Sequence, residues 1–310
     1  MEVKARYHGC LLGLAVGDAL GATLEFSSPG SFEPIFDMIG GGQFSLKPGE
    51  WTDDTSMTLC LAESLIEREG FDPVDQLKRY IKWMDEGHLS SNGKCFDVGT
   101  IILYSLAEFT RTKNPYCGPV GSRSAGNGSL MRLAPIPLFY AAKPEMAINM
   151  SGESSRTTHQ AKICIDACRY YGGLIVGALL GISKDYLLSK SYSPVKDIWE
   201  HYPLNSEIKT IADGSFKDKN PPEIIGSGFV VDSMEAALWA YYKSQSFEEG
   251  CLMAINLGND SDTTGAIYGQ LAGAFYGEHQ IPERWLSKLA HKNIIVDMAD
   301  KLLTLSRTDL

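Results

Sequence analysis

The sequence predicts an all-α protein with a tightly packed core. Apolar residues recur at helical spacing behind recognisable helix starts, and runs that alternate polar and apolar between turns hardly occur. Glycines also repeat every fourth residue in three segments: Gly9, Gly13, Gly17 and Gly21; Gly173, Gly177 and Gly181; Gly265, Gly269, Gly273 and Gly277. That interval keeps each set close to one side of a helix. Glycine costs about 1 kcal/mol relative to alanine inside a helix, so the stripes need an offset. Close backbone contact supplies one, with neighbouring helices pressed against all three. The same spacing serves helix dimerisation in membranes, but Asp18 interrupts the first stripe and the other segments are too short or too mixed to span.

In chain order, MEVKARYHGCLLGLAVGDALG forms the first apolar helix, which closes in GATLEF with Glu25. Residues Ser27 to Glu50 carry Pro29, Pro34, Pro48 and the triplet Gly40, Gly41 and Gly42, an irregular segment that delivers the chain to Thr52. Thr52, Asp53 and Asp54 open the helix TSMTLCLAESL, and Asp72 with Pro73 opens the next, which ends near Gly87. Asp97 heads a further apolar helix and, on local grounds, reads as its N-cap. From Arg111 to Ser129 runs a glycine-rich loop. Its Gly126, Asn127 and Gly128, placed before a helix, read either as an anion cradle or as a plain tight turn. Arg132 is assigned a structural role. Thr158 and His159 start a strongly apolar helix, where a lone His reads as a cap or packing residue. Residues Ile182 to Ile225 are polar and Pro-punctuated, a region of variable helices and loops. Gly226, Ser227, Gly228 and Phe229 then turn into an amphipathic helix; Phe229 can stack on a base, although core packing is the more economical local reading. Pro282 stands near the start of the closing helices.

No linker divides the 310 residues, so one domain spanning 1–310 is expected. With 28 basic and 38 acidic residues the formal charge is −10, which disfavours nonspecific attraction to nucleic acid or anionic membrane. The apolar run Cys10 to Val16 is too short for a bilayer and lacks a cleavage site. Seven cysteines without a CxxC pair fit small buried hydrophobes in a reducing cytoplasm. A glycan on the Asn259 sequon would cover the acidic cluster beside it, which also favours the cytoplasm.

That cluster is GNDSDTTG, where Asp260, Asp262, Thr263 and Thr264 crowd a helix start much as Thr52, Asp53 and Asp54 do. Anionic side chains are normal at helix N-termini, so two well-capped helices are one reading. A cation site split between the two starts is the other. One Asp caps a helix, whereas each start carries two carboxylates that repel unless neutralised. Oxygen-only ligands suit magnesium, manganese or calcium over zinc. An EF-hand is excluded, because its twelfth position would be Leu271 where a bidentate Glu is required.

Taken together, GCLLGLAVGDALGATLEF, WTDDTSMTL, FDVGT, GNGSLMRLAPIP, TTHQ, GSGFVVDSMEAALWA and NLGNDSDTTGAIYGQLAGAFYG resemble the ADP-ribosylglycohydrolase family, in its order and over nearly the whole chain. The resemblance implies an all-α orthogonal helical bundle with two divalent cations, Mg2+ or Mn2+. It implies hydrolysis of the bond joining ADP-ribose to a protein side chain, with arginine the expected linkage. Thr52, Asp53, Asp54, Asp260, Asp262 and Thr263 would be the metal ligands, and Glu25 and Asp97 the catalytic carboxylates. Gly126, Asn127, Gly128, Ser129, His159, Gly228 and Phe229 would hold the substrate. Partners would be an ADP-ribosylated protein and a toxin ADP-ribosyltransferase or its target; the alternative role is an ADP-ribose-binding or toxin-neutralising immunity protein. Asn259 and Ser261 replace commoner Gly and Thr without removing a ligand. Ala125 and Phe229 depart from aromatic and Tyr residues of some relatives, which touches linkage preference.

Overall fold

A computed structural model describes residues 2–308. Fifteen α-helices make up the architecture among these residues, and strand pairing is confined to two isolated bridges. They run α1 (Val3–Gly21), α2 (Asp53–Arg68), α3 (Pro73–Glu86), α4 (Thr100–Thr112), α5 (Pro135–Phe139), α6 (Pro144–Arg156), α7 (Lys162–Leu179) and α8 (Lys184–Leu187). The remainder are α9 (Ile198–His201), α10 (Ser206–Ala212), α11 (Val230–Lys243), α12 (Phe247–Ile255), α13 (Ser261–Tyr276), α14 (Glu283–Leu286) and α15 (Lys292–Thr308). The all-α expectation holds. No described helix is long and apolar enough to cross a membrane.

α1 and α13 make the most extensive helix–helix contact and form the axis of the core. Both are apolar all round and buried on nearly every face, as expected of helices with no solvent side. The first and last glycine stripes mesh. A Cβ on Gly9, Gly13 or Gly17 would strike the carbonyl oxygen of Gly273, Gly269 or Gly265, and the reverse substitutions strike the reciprocal oxygens. The packing of these backbones is what offsets the cost of so many helical glycines.

The middle stripe is different, and corrects the expectation that all three press on backbone. Gly173 faces Pro194 and Ile148, Gly177 faces the Tyr192 hydroxyl and Leu187, and Gly181 lies beyond α7 at φ +79°. The 182–199 segment folds back here, so side chains fill the space. Gly277 likewise closes α13 from outside instead of continuing its stripe. Asp72 caps α3 as expected, accepting from the Val74 and Asp75 amides at 2.9 and 3.0 Å. Asp97 caps nothing: α4 begins at Thr100 behind Gly99, and Asp97 sits at φ +57° with its side chain turned elsewhere.

Gly269→Ala should lower thermal stability by roughly 1–3 kcal/mol through overpacking. Gly121→Ala, where a Cβ meets open space, should stay within about 0.5 kcal/mol of the parent. Denaturant melts of the two variants check this, and equal stability would show that the stripe is not tightly meshed.

Candidate active site

The two acidic helix starts come together because α1 touches both. Asp18, buried in the last turn of α1, accepts from the Thr52 amide and hydroxyl through Oδ1 (2.9 and 3.0 Å) and from the Thr55 amide and hydroxyl through Oδ2 (3.0 and 2.6 Å). This fixes the entrance of α2. At the end of α1, the Ser261 hydroxyl donates to Gly21 O at 2.8 Å, and Gly21 has no room for a side chain against Ser261 and Asp262. This fixes the entrance of α13.

Neither entrance uses its carboxylates as caps: α2 and α13 have no side-chain cap hydrogen bond. The acidic groups face one another instead. Thr52 Oγ1 lies 3.0 Å from Asp18 Oδ1, 3.0 Å from Asp54 Oδ2 and 3.2 Å from Asp262 Oδ2, and Thr263 Oγ1 lies 3.5 Å from Asp54 Oδ2. One hydroxyl proton can serve only one of these carboxylates at a time. Buried oxygens are left without any partner, namely Glu25 Oε2, Asp54 Oδ1 and Asp262 Oδ1. Unpaired buried carboxylate oxygens are costly, and a cation is what their chemistry accepts.

Two groupings have oxygens within 4.8 Å of one another, Asp18 with Asp54 and Asp262, and Glu25 with Asp97 and Asp262. Asp18 already accepts four hydrogen bonds and is best read as the holder of Thr52 and Thr55. The remaining groups, Thr52, Asp53, Asp54, Asp260, Asp262 and Thr263 beside Glu25 and Asp97, fit divalent cations by donor type and by their orphaned oxygens.

Above this cluster opens a cavity of about 390 Å3. Glu25, Asp53, Asp97, Asp260 and Thr263 reach it, while Thr52, Asp54 and Asp262 lie beneath, almost wholly buried. Gly126, Asn127, Gly128, His159 and Gly228 line one wall, and Phe26, the 98–102 segment and Met131 complete the lining.

The profile of the ADP-ribosylglycohydrolase family matches residues 1–309. The chain belongs to this family. Its relatives include ADP-ribosylarginine hydrolase Tri1 of Serratia proteamaculans, 38% identical over 294 residues that cover 95% of this chain and 78% of that protein. The ADP-ribosyl-(dinitrogen reductase) glycohydrolase of Rhodospirillum rubrum is 31% identical over 314 residues, 99% of each protein. Among solved structures, one described as an ADP-ribosylglycohydrolase-related protein complex superposes with a TM-score of 0.86 at 40% identity, covering 98% of this chain and 99% of that one.

In this glycohydrolase the glycine loop does not open a helix, since α5 begins only at Pro135. The Asn127 amide donates to Gly228 O at 3.2 Å and its Nδ2 to Asp260 Oδ2 at 2.8 Å, so Asn127 ties the loop to the α13 entrance. Ser129 is buried behind the loop, where its Oγ accepts from the Ser155 hydroxyl at 2.8 Å. Phe229 is 39% exposed and pairs through its backbone with Gly126; it is not a core residue, because the turn aims its ring outward. Arg132 holds Gly128 O and the Thr158 hydroxyl at 3.0 and 2.6 Å, with its guanidinium over the Tyr80 ring. Thr158 in turn lies 2.8 Å from His159 Nδ1. Burial, seconded by the Arg132 charge, pushes His159 down to about 3, so the imidazole facing Gly126 and Gly128 is neutral. The residue that sequence reasoning passed over is Asp18. Its signal was present: a carboxylate in the long apolar run of a helix is rarely buried without a task.

Burial and then mutual repulsion set the charges of the cluster. Glu25 is pushed up to about 9 by burial and by Asp97 and Asp260, and Asp97 to about 7 by burial and by Asp260. Asp18 rises to about 6 through burial, although its four hydrogen bonds oppose the rise. Asp53, Asp54 and Asp262 are held well above the carboxylate range by burial and by their acidic neighbours. Groups raised in the folded state bind protons that the unfolded chain has released, so stability is full at low pH and is lost as pH rises. In EDTA the melting temperature should therefore fall between pH 5 and pH 9, as Asp18, Asp97 and Glu25 titrate in the folded state near 6, 7 and 9. Millimolar Mg2+ or Mn2+ should flatten the fall. Melting curves across that range provide the check, and a flat EDTA profile would contradict the charge assignment.

Proposed function

We propose that this chain removes ADP-ribose from modified arginine side chains of proteins, with two divalent cations, magnesium or manganese, held between α2 and α13. The observation that carries the reading is the convergence of two uncapped acidic helix starts, with orphaned carboxylate oxygens, at the floor of a cavity of ligand size. The two Tri1 and nitrogenase-related relatives supply the substrate class, since their names give ADP-ribosylarginine and ADP-ribosyl-dinitrogen reductase.

Thr52, Asp53, Asp54, Asp260, Asp262 and Thr263 would hold the cations, which when bound supply Lewis acidity toward ribose hydroxyls and water and cancel the carboxylate repulsion. Around that pair, Asn127 fixes Asp260 while Arg132 and Thr158 fix the glycine loop and neutral His159. The glycine loop and neutral His159 seat the ribose and diphosphate, with the Arg132 charge buried behind them and outside the cavity. There the C–N bond breaks, its electron pair leaves with the guanidine nitrogen, and water oxygen forms the new C–O bond. The Glu25–Asp97 pair takes up the proton that water releases and returns it to the departing guanidine. The flanking carboxylates also stabilise the oxocarbenium-like transition state. A silent binder would be free to lose acidic positions, and all of them are present.

The test is incubation with arginine-, serine- and cysteine-linked ADP-ribosylated peptides with added Mg2+ or Mn2+, scoring free ADP-ribose. Release from the arginine-linked peptide, abolished by EDTA, is expected. Asp53→Asn and Asp260→Asn should each lower kcat by at least about 100-fold while circular dichroism stays unchanged. Hydrolysis that persists in EDTA, or full activity of either variant at limiting metal, would refute the assignment.

A further inference from the structure

Phe26 follows Glu25 and Phe96 precedes Asp97, so each of two neighbouring site carboxylates carries an aromatic ring on the adjoining residue. Both rings meet Phe44, Phe26 edge-on at 6.5 Å between centroids and Phe96 tilted at 5.2 Å. Phe26 lines the cavity, yet 65% of it is exposed. Its φ is +61°, a conformation that is costly for a bulky residue and persists only when its surroundings impose it. They do so here. The Phe26 amide donates to Asn259 O at 2.6 Å and the Asn259 amide to Ser27 O at 2.7 Å, tying the residue to the segment directly before Asp260.

Phe44 stands on a turn that is equally fixed. Gly41 and Leu46 exchange hydrogen bonds at 2.7 and 2.9 Å, the Thr23 hydroxyl donates to Gly40 O at 3.1 Å, and Gly42 packs too closely on Ala22 O for any side chain. Burial does not explain a ring that remains mostly in water. A rigid aromatic edge beside a reaction site points to a ligand.

We propose that Phe26, backed by Phe44 and Phe96, receives the guanidinium of the modified arginine and forms the leaving-group subsite that sets linkage preference. The inference rests on the arginine reading above and deepens it. A ribosylated guanidinium remains a planar, delocalised cation, which stacks on aromatic faces and is drawn by the adjoining acidic residues. A serine-linked substrate presents only a neutral ether oxygen at the same place, so the rings add nothing for it. The glycine loops, His159 and the 98–102 segment line other walls of the cavity, and Phe26 stands at its exposed edge, where the protein side of the bond would lie.

The deciding quantity is the ratio of kcat/KM for arginine-linked to serine-linked peptides in the parent chain, Phe26→Leu, Phe44→Leu and Phe26→Trp. Phe26→Leu should lower that ratio by about 3- to 30-fold and Phe26→Trp should restore it, as expected for a cation–π contact. Phe44→Leu, which removes only the backing ring, should give a smaller drop in the same direction. An unchanged ratio in Phe26→Leu overturns the subsite even if the parent enzyme is fully active. Absence of ADP-ribose release from every peptide refutes the glycohydrolase reading instead. The subsite is then decided by calorimetry: ADP-ribosylarginine must bind the parent chain more tightly than ADP-ribose does and lose that advantage in Phe26→Leu. Equal Kd values in the parent chain overturn it.

Discussion

The structure depends on the contact between the backbones of α1 and α13. Gly9, Gly13 and Gly17 let the two helices approach until carbonyl oxygens of one occupy the positions where side chains of the other would begin. That approach does more than fill the core. It makes α1 a ruler: Asp18 in its last turn fixes the α2 entrance, and Gly21 at its close fixes the α13 entrance. Two helix starts separated by some two hundred residues of chain are thereby held against each other by one rigid element.

What is held is electrostatically unfavourable in the isolated protein. Six carboxylates, Asp18, Glu25, Asp53, Asp54, Asp97 and Asp262, are all pushed upward by burial, and repulsion adds to it in all but Asp18. Asp18 is relieved in part, by donors at both of its oxygens. Glu25, Asp54 and Asp262 each keep an oxygen free, an arrangement that stability alone would remove and that divalent cations would reward. Hydrogen bonds from Asn127, Arg132 and Thr158 then stiffen the mouth of the cavity without neutralising its floor. The strain at Phe26 belongs with this pattern, since its backbone is tied to the segment that delivers Asp260.

Much of this was legible from sequence. The surplus of acid over what a cap requires at Asp53, Asp54, Asp260 and Asp262 was local information, and so was the glycine spacing. Where local rules failed, a distant partner had taken over. Asp97 has the position of an N-cap, but its side chain lies against Glu25 and Asp53 and makes no cap hydrogen bond to α4. The middle glycine stripe has the right period, but Tyr192 and Pro194 return to fill it. Phe229 looks apolar enough for the core, and a backbone pairing with Gly126 turns it outward.

The sequence by itself determined the helical class, the family and the identity of the acidic groups, because period, capping chemistry and ligand type are properties of short stretches. Only the tertiary structure decided which of those groups meet. It assigned Asp18 to holding the α2 entrance, placed Asp54 and Asp262 under the cavity floor and Asp53 and Asp260 on it, and brought Phe26, Phe44 and Phe96 to one edge. Such assignments depend on distances between segments far apart in the chain, and those distances are set by how closely α1 and α13 can pack.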